Sequence, residues 1–335
     1  MESLEKILFD ANDQASAQNW LPLQIDQTSP GVYSGQYREI NLPGIKVVTE
    51  AQSCLVHKRG FMEENYCTLS FGRKMRPATD PAGPGQSRLS EHLIHTDTLF
   101  LISAGTEFDV HVGGNTETTY FRLEQTDFLE RIRLLDPQRW EGGTDGLLRF
   151  NTPDLQALAD LPELLLRRIS QEAPGNAQCT AAELSRRIGD QLALALDTAL
   201  PGDLNGSPTL AARRRAVGQI RAIAESLEDV LDSQSCPTVV DLCRLTGVSQ
   251  RTLQYSFKHL LGLSPNAYLR IYRLNRARSE LLEPASSRVN VTQVATRWHF
   301  THLGKFAGDY TALFSEAPSV TLRRSICQRF GHPVQ

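Results

Sequence analysis

Within the stretch "VSQRTLQYSFKHLLG", the residues Gln250, Arg251, Gln254 and Tyr255 come close together. At helical spacing they share a side that points away from Leu253 and Phe257. An arginine offers a planar fork of donors suited to the two acceptors of guanine, and a glutamine amide matches the donor–acceptor pair of adenine. The chemistry such a face supports is recognition of base edges rather than the making of bonds. Ser249 and Lys258 flank it and complete this candidate DNA-binding set.

The stretch has a second copy. An offset of 52 carries Val239, Leu242, Cys243, Gly247 and Val248 onto Val291, Val294, Ala295, His299 and Phe300. After one inserted residue, an offset of 53 carries Leu253, Phe257, Pro265 and Leu269 onto Phe306, Tyr310, Pro318 and Leu322. Each copy reads as a short helix, a tight turn and a longer helix, followed by a proline that starts another. That is the layout of a helix-turn-helix. Leu253, Phe257, Phe306 and Tyr310 stay apolar in character through the repeat and are assigned to the core.

The elements that must position these faces are also legible. Thr238 with Asp241 makes a capping box for the first short helix, and Val217, Ile220, Ala224, Leu227 and Leu231 mark a longer helix before it. Ser264 and Pro265 suit the start of a spacer helix, which Pro284 closes. Its 19 residues, Pro265 to Glu283, span about 28 Å. Major grooves on one face of DNA repeat at about 34 Å, so a rigid spacer of this length can set two reading helices into successive grooves. Arg270, Arg273, Arg276 and Arg278 on the spacer are expected to be solvated or internally paired rather than on DNA.

Charge divides the chain. The 335 residues suffice for two domains, and 40% apolar with 22% charged content is ordinary for a soluble protein. The net charge of −3 conceals an asymmetry: from Asn205 onward, 17 Lys and Arg stand against 9 Asp and Glu, leaving 18 against 29 before it. A half at +8 joined to a half at −11 implies that one domain meets a polyanion. The six cysteines are scattered without a C-x-x-C pair, which excludes a disulfide framework and a zinc-finger spacing. The start has neither a basic region nor an apolar one of signal type, and no apolar run reaches about 18 residues. A cytoplasmic location without membrane attachment is expected.

Residues 30–125 read as strands. Phe108, Val110 and Val112 alternate with Asp109 and His111, and "PGIKVVTEAQSCLVHKRGF" and "LSEHLIHTDTLFLIS" supply more, with turns at "DPAGPGQ" and "VGGNTE". Short strands without intervening helices favour a sandwich or barrel; the expectation is a cupin-like β-barrel sensor. Leu155, Leu158 and Leu165 then recur at helical spacing. Leu184, Ile188, Leu192, Ala195 and Ala199 form a stripe that packs either on the barrel or on a second subunit. "PGDLNGSP" reads as a linker. The fold class is α+β: a β-rich ligand-sensing domain over 1–150, a helical dimerisation or packing segment over 151–200, a linker over 201–208, and an all-α tandem helix-turn-helix domain over 209–328.

The segments "SPNAYLRIYRLNRARSELL" and "FTHLGKFAGDYTALFSEAPSVTLRR" resemble the DNA-binding domain of the AraC/XylS family of bacterial transcription regulators, over residues 210–325. "HLGKF", "QSCLVHKRGF" and "GTEFDV" are similar to the ethanolamine-operon activators, and "HLGKF" also to the XylS-type regulators of aromatic-acid catabolism. The resemblance implies double-stranded promoter DNA bound through both units, a small-molecule effector in the N-terminal domain, a homodimer, and contact with RNA polymerase. No cofactor is required, although adenosylcobalamin as co-effector is implied by resemblance. By position, it puts base contacts on Gln250, Arg251, Gln254 and Tyr255, and a second set at Thr301, His302, Leu303, Gly304, Lys305 and Gly308. The second set departs from a polar reader, because two glycines and a leucine cannot donate to a base edge. His299 also replaces the glycine common in that turn. The second unit is therefore expected to dock on phosphates more than it reads bases.

The expected function is a sequence-specific transcription regulator, an activator of an operon for catabolism of an amine such as ethanolamine or of an aromatic carboxylate. A rival class, a cupin-like metal enzyme fused to a DNA-binding module, is raised by His57, His92, His95 and His111. Their spacing lacks the H-x-H with a following glutamate that such barrels use, so neither metal ligands nor catalytic residues are assigned. A ligand-free architectural DNA binder is disfavoured by the size and acidity of residues 1–204.

Overall fold

The computed structural model describes residues 2–74, 87–95, 97–152, 155–171, 177–202, 208–230, 237–283 and 288–330. The chain divides into two compact units: Met1–Ile25 with Ser34–Ser53 and Lys58–Ser207, and Asp26–Tyr33 with Cys54–His57 and Pro208–Gln335.

Strands and helices run in the order β1 (Glu2–Leu8), α1 (Ala11–Ala17), β2 (Leu23–Gln27), β3 (Gly35–Leu42), β4 (Ile45–Gln52), β5 (Val56–Phe61), β6 (Tyr66–Lys74), β7 (Arg88–Leu89), β8 (His92–Leu93), β9 (Thr98–Ile102), β10 (Glu107–Val112) and β11 (Thr116–Glu124). Then follow α2 (Gln125–Leu135), α3 (Pro137–Trp140), β12 (Leu147–Asn151), α4 (Leu155–Gln171), α5 (Ala177–Thr198) and β13 (Leu200–Pro201). One sheet has the order β1-β3-β4-β11-β6-β9-β12-β13, the other β2-β5-β10-β7-β8. Period-two alternation sorts the large sheet into two unlike faces. Phe121 of β11 lies opposite Val47 on β4 and Leu69 on β6. These join a buried cluster with Phe128 and Ile132 of α2, Leu158 and Leu165 of α4, and Ile188, Leu192 and Leu196 of α5. The α5 stripe is thus buried on its own sheet. The neighbouring positions, Glu50 opposite Thr118 and Ser70 opposite Tyr120, belong to the other face, which is far more polar.

The expected cupin-like barrel is corrected here. Among the described residues neither sheet closes; β1 and β13 remain edges of one, β2 and β8 of the other. Closure serves to bury an apolar face and remove edges. Here α2, α4 and α5 cover the apolar face of the large sheet, and the two-residue β13 ends in Pro201, which cannot donate to a further ladder.

The second unit contains α6 (Pro208–Val230), α7 (Val239–Thr246), α8 (Gln250–Leu261), α9 (Pro265–Leu282), α10 (Val291–Arg297), α11 (Leu303–Phe314) and α12 (Pro318–Phe330). Residues 203–207 of the expected linker, Leu231, Pro284 and the "DPAGPGQ" turn lie outside the described residues. The capping box of Thr238 and Asp241 forms, and Asn290 with Gln293 makes a second one at the equivalent place in the other copy. Each copy buries its own core. Ile220, Leu242, Leu253, Phe257, Tyr268 and Tyr272 make one; Leu274, Leu281, Val294, Phe306, Tyr310 and Leu322 belong to the other. The spacer α9 supplies both, its first half to one and its second half to the other, so the two cores share one rigid strut. No helix among the described residues is long and apolar enough to cross a membrane.

Candidate nucleic-acid interface

The first reading helix is α8. Gly247 turns the chain at φ 67°, and Ser249 caps the helix by accepting from the Thr252 amide at 3.2 Å. Leu253 and Phe257 are fully buried, pinning the inner side. Ser249, Gln250, Arg251, Gln254, Tyr255 and Lys258 are all exposed. Among the described residues the side chains of Gln250, Arg251 and Gln254 make no hydrogen bond within the chain, so their donors face outward unspent. Tyr255 stacks on His259 with ring centroids 5.8 Å apart, and Lys258 Nζ donates to the Gly262 carbonyl at 3.3 Å. A groove of about 440 Å³ between α6 and α8, lined by Arg213, Arg215, Gln219, Thr252, Tyr255 and His259, extends this basic surface. The sequence signal for it is the run "RRR" at 213–215.

The second reading helix, α11, has a different outer face. Thr301, His302, Leu303, Gly304, Lys305 and Gly308 are exposed, above the buried Phe306 and Tyr310. His302 stands at the N-cap without a capping side-chain bond. A Cβ added at Gly304 or Gly308 would meet nothing within 4 Å. Packing inside the chain therefore does not require these glycines; they leave the backbone open to close approach. The turn before α11 holds His299 at φ 60°, where the first copy has glycine.

The four spacer arginines are internally paired, as expected of them. Arg270 faces Asp309 at 3.5 Å. Arg273 donates to the Leu269 and His299 carbonyls at 3.3 Å and lies over the Phe300 ring. Arg276 pairs with Asp26, and Arg278 meets Glu316 at 2.9 Å and the Tyr310 hydroxyl at 3.1 Å. Glu316 also accepts from Thr321 at 2.7 Å and Arg324 at 3.1 Å. Burial works against its charge, but the Thr321 hydroxyl and the two guanidinium groups hold its carboxyl below the ordinary value. Burial pushes the Tyr310 hydroxyl up to about 12 despite Arg278. The segment Asp26–Tyr33 of the same unit is fixed by Asn275, which exchanges two 2.9 Å bonds with the Gln27 backbone.

The first unit holds a cavity of about 70 Å³. Leu23, Met62, Leu89, Phe108 and Val110 make one wall; Thr68, Ser70, Gly72, Thr118 and Tyr120 of the large sheet make the facing one. Glu50 and Lys58 are buried against it as an ion pair. Sequence reasoning missed both. The available signal was a charge at an inward position of an alternating strand, since Glu50 shares a face of β4 with the buried Val48. Of the four histidines weighed as ligands, His57, His92 and His111 are buried and His95 is exposed. His111 Nε2 lies 3.8 Å from Asp109, which Arg88 already faces at 3.0 Å.

Residues 242–324 match a family model described as a helix-turn-helix domain. The chain is 40% identical over 106 residues to the probable thc operon regulatory protein of Rhodococcus erythropolis, covering 32% of this chain and 31% of that protein. It is 36% identical over 83 residues to the XylDLEGF operon transcriptional activator of Pseudomonas putida, covering 25% and 26%. The chain thus spans about a third or less of the length of these relatives. A solved structure of a probable AraC family transcriptional regulator from Rhodopseudomonas palustris is 34% identical over 32% of this chain and 97% of its own, with a TM-score of 0.30.

Proposed function

We propose that this chain, a member of the AraC/XylS family through its tandem helix-turn-helix domain, is a sequence-specific DNA-binding transcription regulator that responds to a small molecule. One observation carries the reading: α8 presents Gln250, Arg251 and Gln254 outward, exposed and without a hydrogen-bond partner among the described residues, on a helix held from behind by Leu253 and Phe257. Unspent bidentate donors on a rigid helix are what direct base readout needs. The exposed Lys305 and the bare backbone at Gly304 and Gly308 suit the second helix to phosphates. The relatives are named for operons, one of them as a transcriptional activator, which supports activation of an operon; a catabolic target, a homodimer and contact with RNA polymerase rest on the family resemblance alone. No catalytic step and no cofactor enters this reading. The cavity of the first unit is where the effector binds.

Gel-shift titration of the full chain against its own upstream region tests the proposal. Specific binding should exceed binding to scrambled duplex by at least about 10³-fold at physiological salt and fall steeply as salt rises. Equal affinity for both duplexes would overturn it.

A further inference from the structure

The cavity of the first unit carries an inference about the effector's chemistry, one that rests on the regulator reading above. Glu50 is engaged at both oxygens: Lys58 donates to Oε1, while Gln14, at 2.5 Å, and Gln18 donate to Oε2. Lys58 brings up to three N–H groups, and among the described residues Glu50 is its only hydrogen-bond partner. The surplus at this end of the cavity is therefore a donor, and an occupant must supply the acceptor.

Charge balance narrows the class. Glu50 and Lys58 are almost wholly buried, with side chains 0% and 6% exposed, and together they are neutral. An anion or a cation entering beside them would leave one uncompensated charge among Leu23, Met62, Phe108 and Val110, which is strongly unfavourable. Size narrows the class further. A dry cavity of about 150 Å³ holds benzene, and this one is about 70 Å³.

We propose that the cavity takes an uncharged short-chain carbonyl compound whose oxygen accepts from Lys58 and whose alkyl part lies against the apolar wall. This sets aside both the amine and the aromatic carboxylate expected from resemblance: each is charged at neutral pH, and the second is too large.

The test uses the purified full chain and the matched three-carbon probes propionamide, propionate and propylamine, read by calorimetry and thermal shift at millimolar concentration. Propionamide should bind at least tenfold more tightly than either ion. Two variants then move the charge. Glu50→Gln should shift preference toward propionate, and Lys58→Met toward propylamine. If wild type binds either ion as well as the amide, or binds none of the three, the proposal is overturned, and these wild-type outcomes require no variant to fold. Gel shifts on the same sample separate the two readings. Specific DNA binding without amide binding would sink the ligand class alone, whereas amide binding without specific DNA binding would sink the regulator.

Discussion

His299 occupies the left-handed region at φ 60°, a conformation that side chains with a Cβ adopt at a cost. It stands where the first copy has Gly247 at φ 67°, so the fold demands this turn in both copies. His299→Gly should stabilise the second unit by about 1 kcal/mol, the relieved strain exceeding glycine's extra unfolded-state entropy; urea denaturation of the variant checks this. The two reading helices are separable at the same scale. Arg251→Ala should weaken specific binding by about 1–3 kcal/mol and relax preference at one base pair. Lys305→Ala should weaken all sites alike and lower the salt slope by about 1, because a flexible point charge suits phosphate. Randomised-site selection with each variant decides the matter; altered base preference in the Lys305 variant alone would reverse the two assignments. The repeat made the buried Leu253, Phe257, Phe306 and Tyr310 legible from apolar spacing. Alternation along β4 marks Glu50 as an inward charge beside Val48, but spacing states only which way a strand residue points, not that Lys58 meets it from another strand.

Between elements, Glu316, in the turn between α11 and α12, ties α9 to α12 through Arg278, Thr321 and Arg324. Its folded carboxyl lies below the ordinary glutamate value, near 4.3 on average. The stability this adds is therefore complete above the unfolded value and is lost as pH falls through the folded one. Glu316→Gln should destabilise the unit by about 2 kcal/mol at pH 7, because Arg278, Arg324 and the Thr321 hydroxyl then meet a neutral acceptor in place of a charged one. The variant should also show a flatter loss of stability below about pH 5 than the wild type. Thermal unfolding across pH measures both, and parallel pH profiles would contradict the assignment. Helix starts were readable at Thr238 and Ser264, whereas the side-chain caps at Asp10, Glu124, Ser249 and Asn290 went unread. The closed barrel was misjudged for a physical reason. Alternation along β4 and β11 identifies an apolar face, but not that α2, α4 and α5 cover it. Nor could sequence place Asp26–Tyr33 beside α9, a pairing 248 positions apart at Gln27 and Asn275.

Over the whole molecule, the charge division makes its own prediction. Residues 1–204 carry 18 positive and 29 negative side chains, and the remainder 17 and 9. Freed of the acidic half, residues 208–335 should bind non-specific duplex more tightly than the full chain at low salt, with the difference shrinking as salt screens it. Gel shifts with one random duplex at two ionic strengths check this; equal affinities at low salt would contradict it. The spacer, finally, fixes more than distance. Because Leu253 and Phe257 of α8 pack with Tyr268 and Tyr272 at one end of α9, while Arg270 of α9 holds α11 through Asp309, the azimuth of one reader about the DNA axis is locked to that of the other. Each added base pair turns the duplex by roughly 35° and lengthens it by about 3.4 Å. One base pair inserted between the two contacted half-sites should therefore abolish joint binding, whereas a full helical turn inserted there should not restore it, because a strut of fixed length can match the phase but not the added rise.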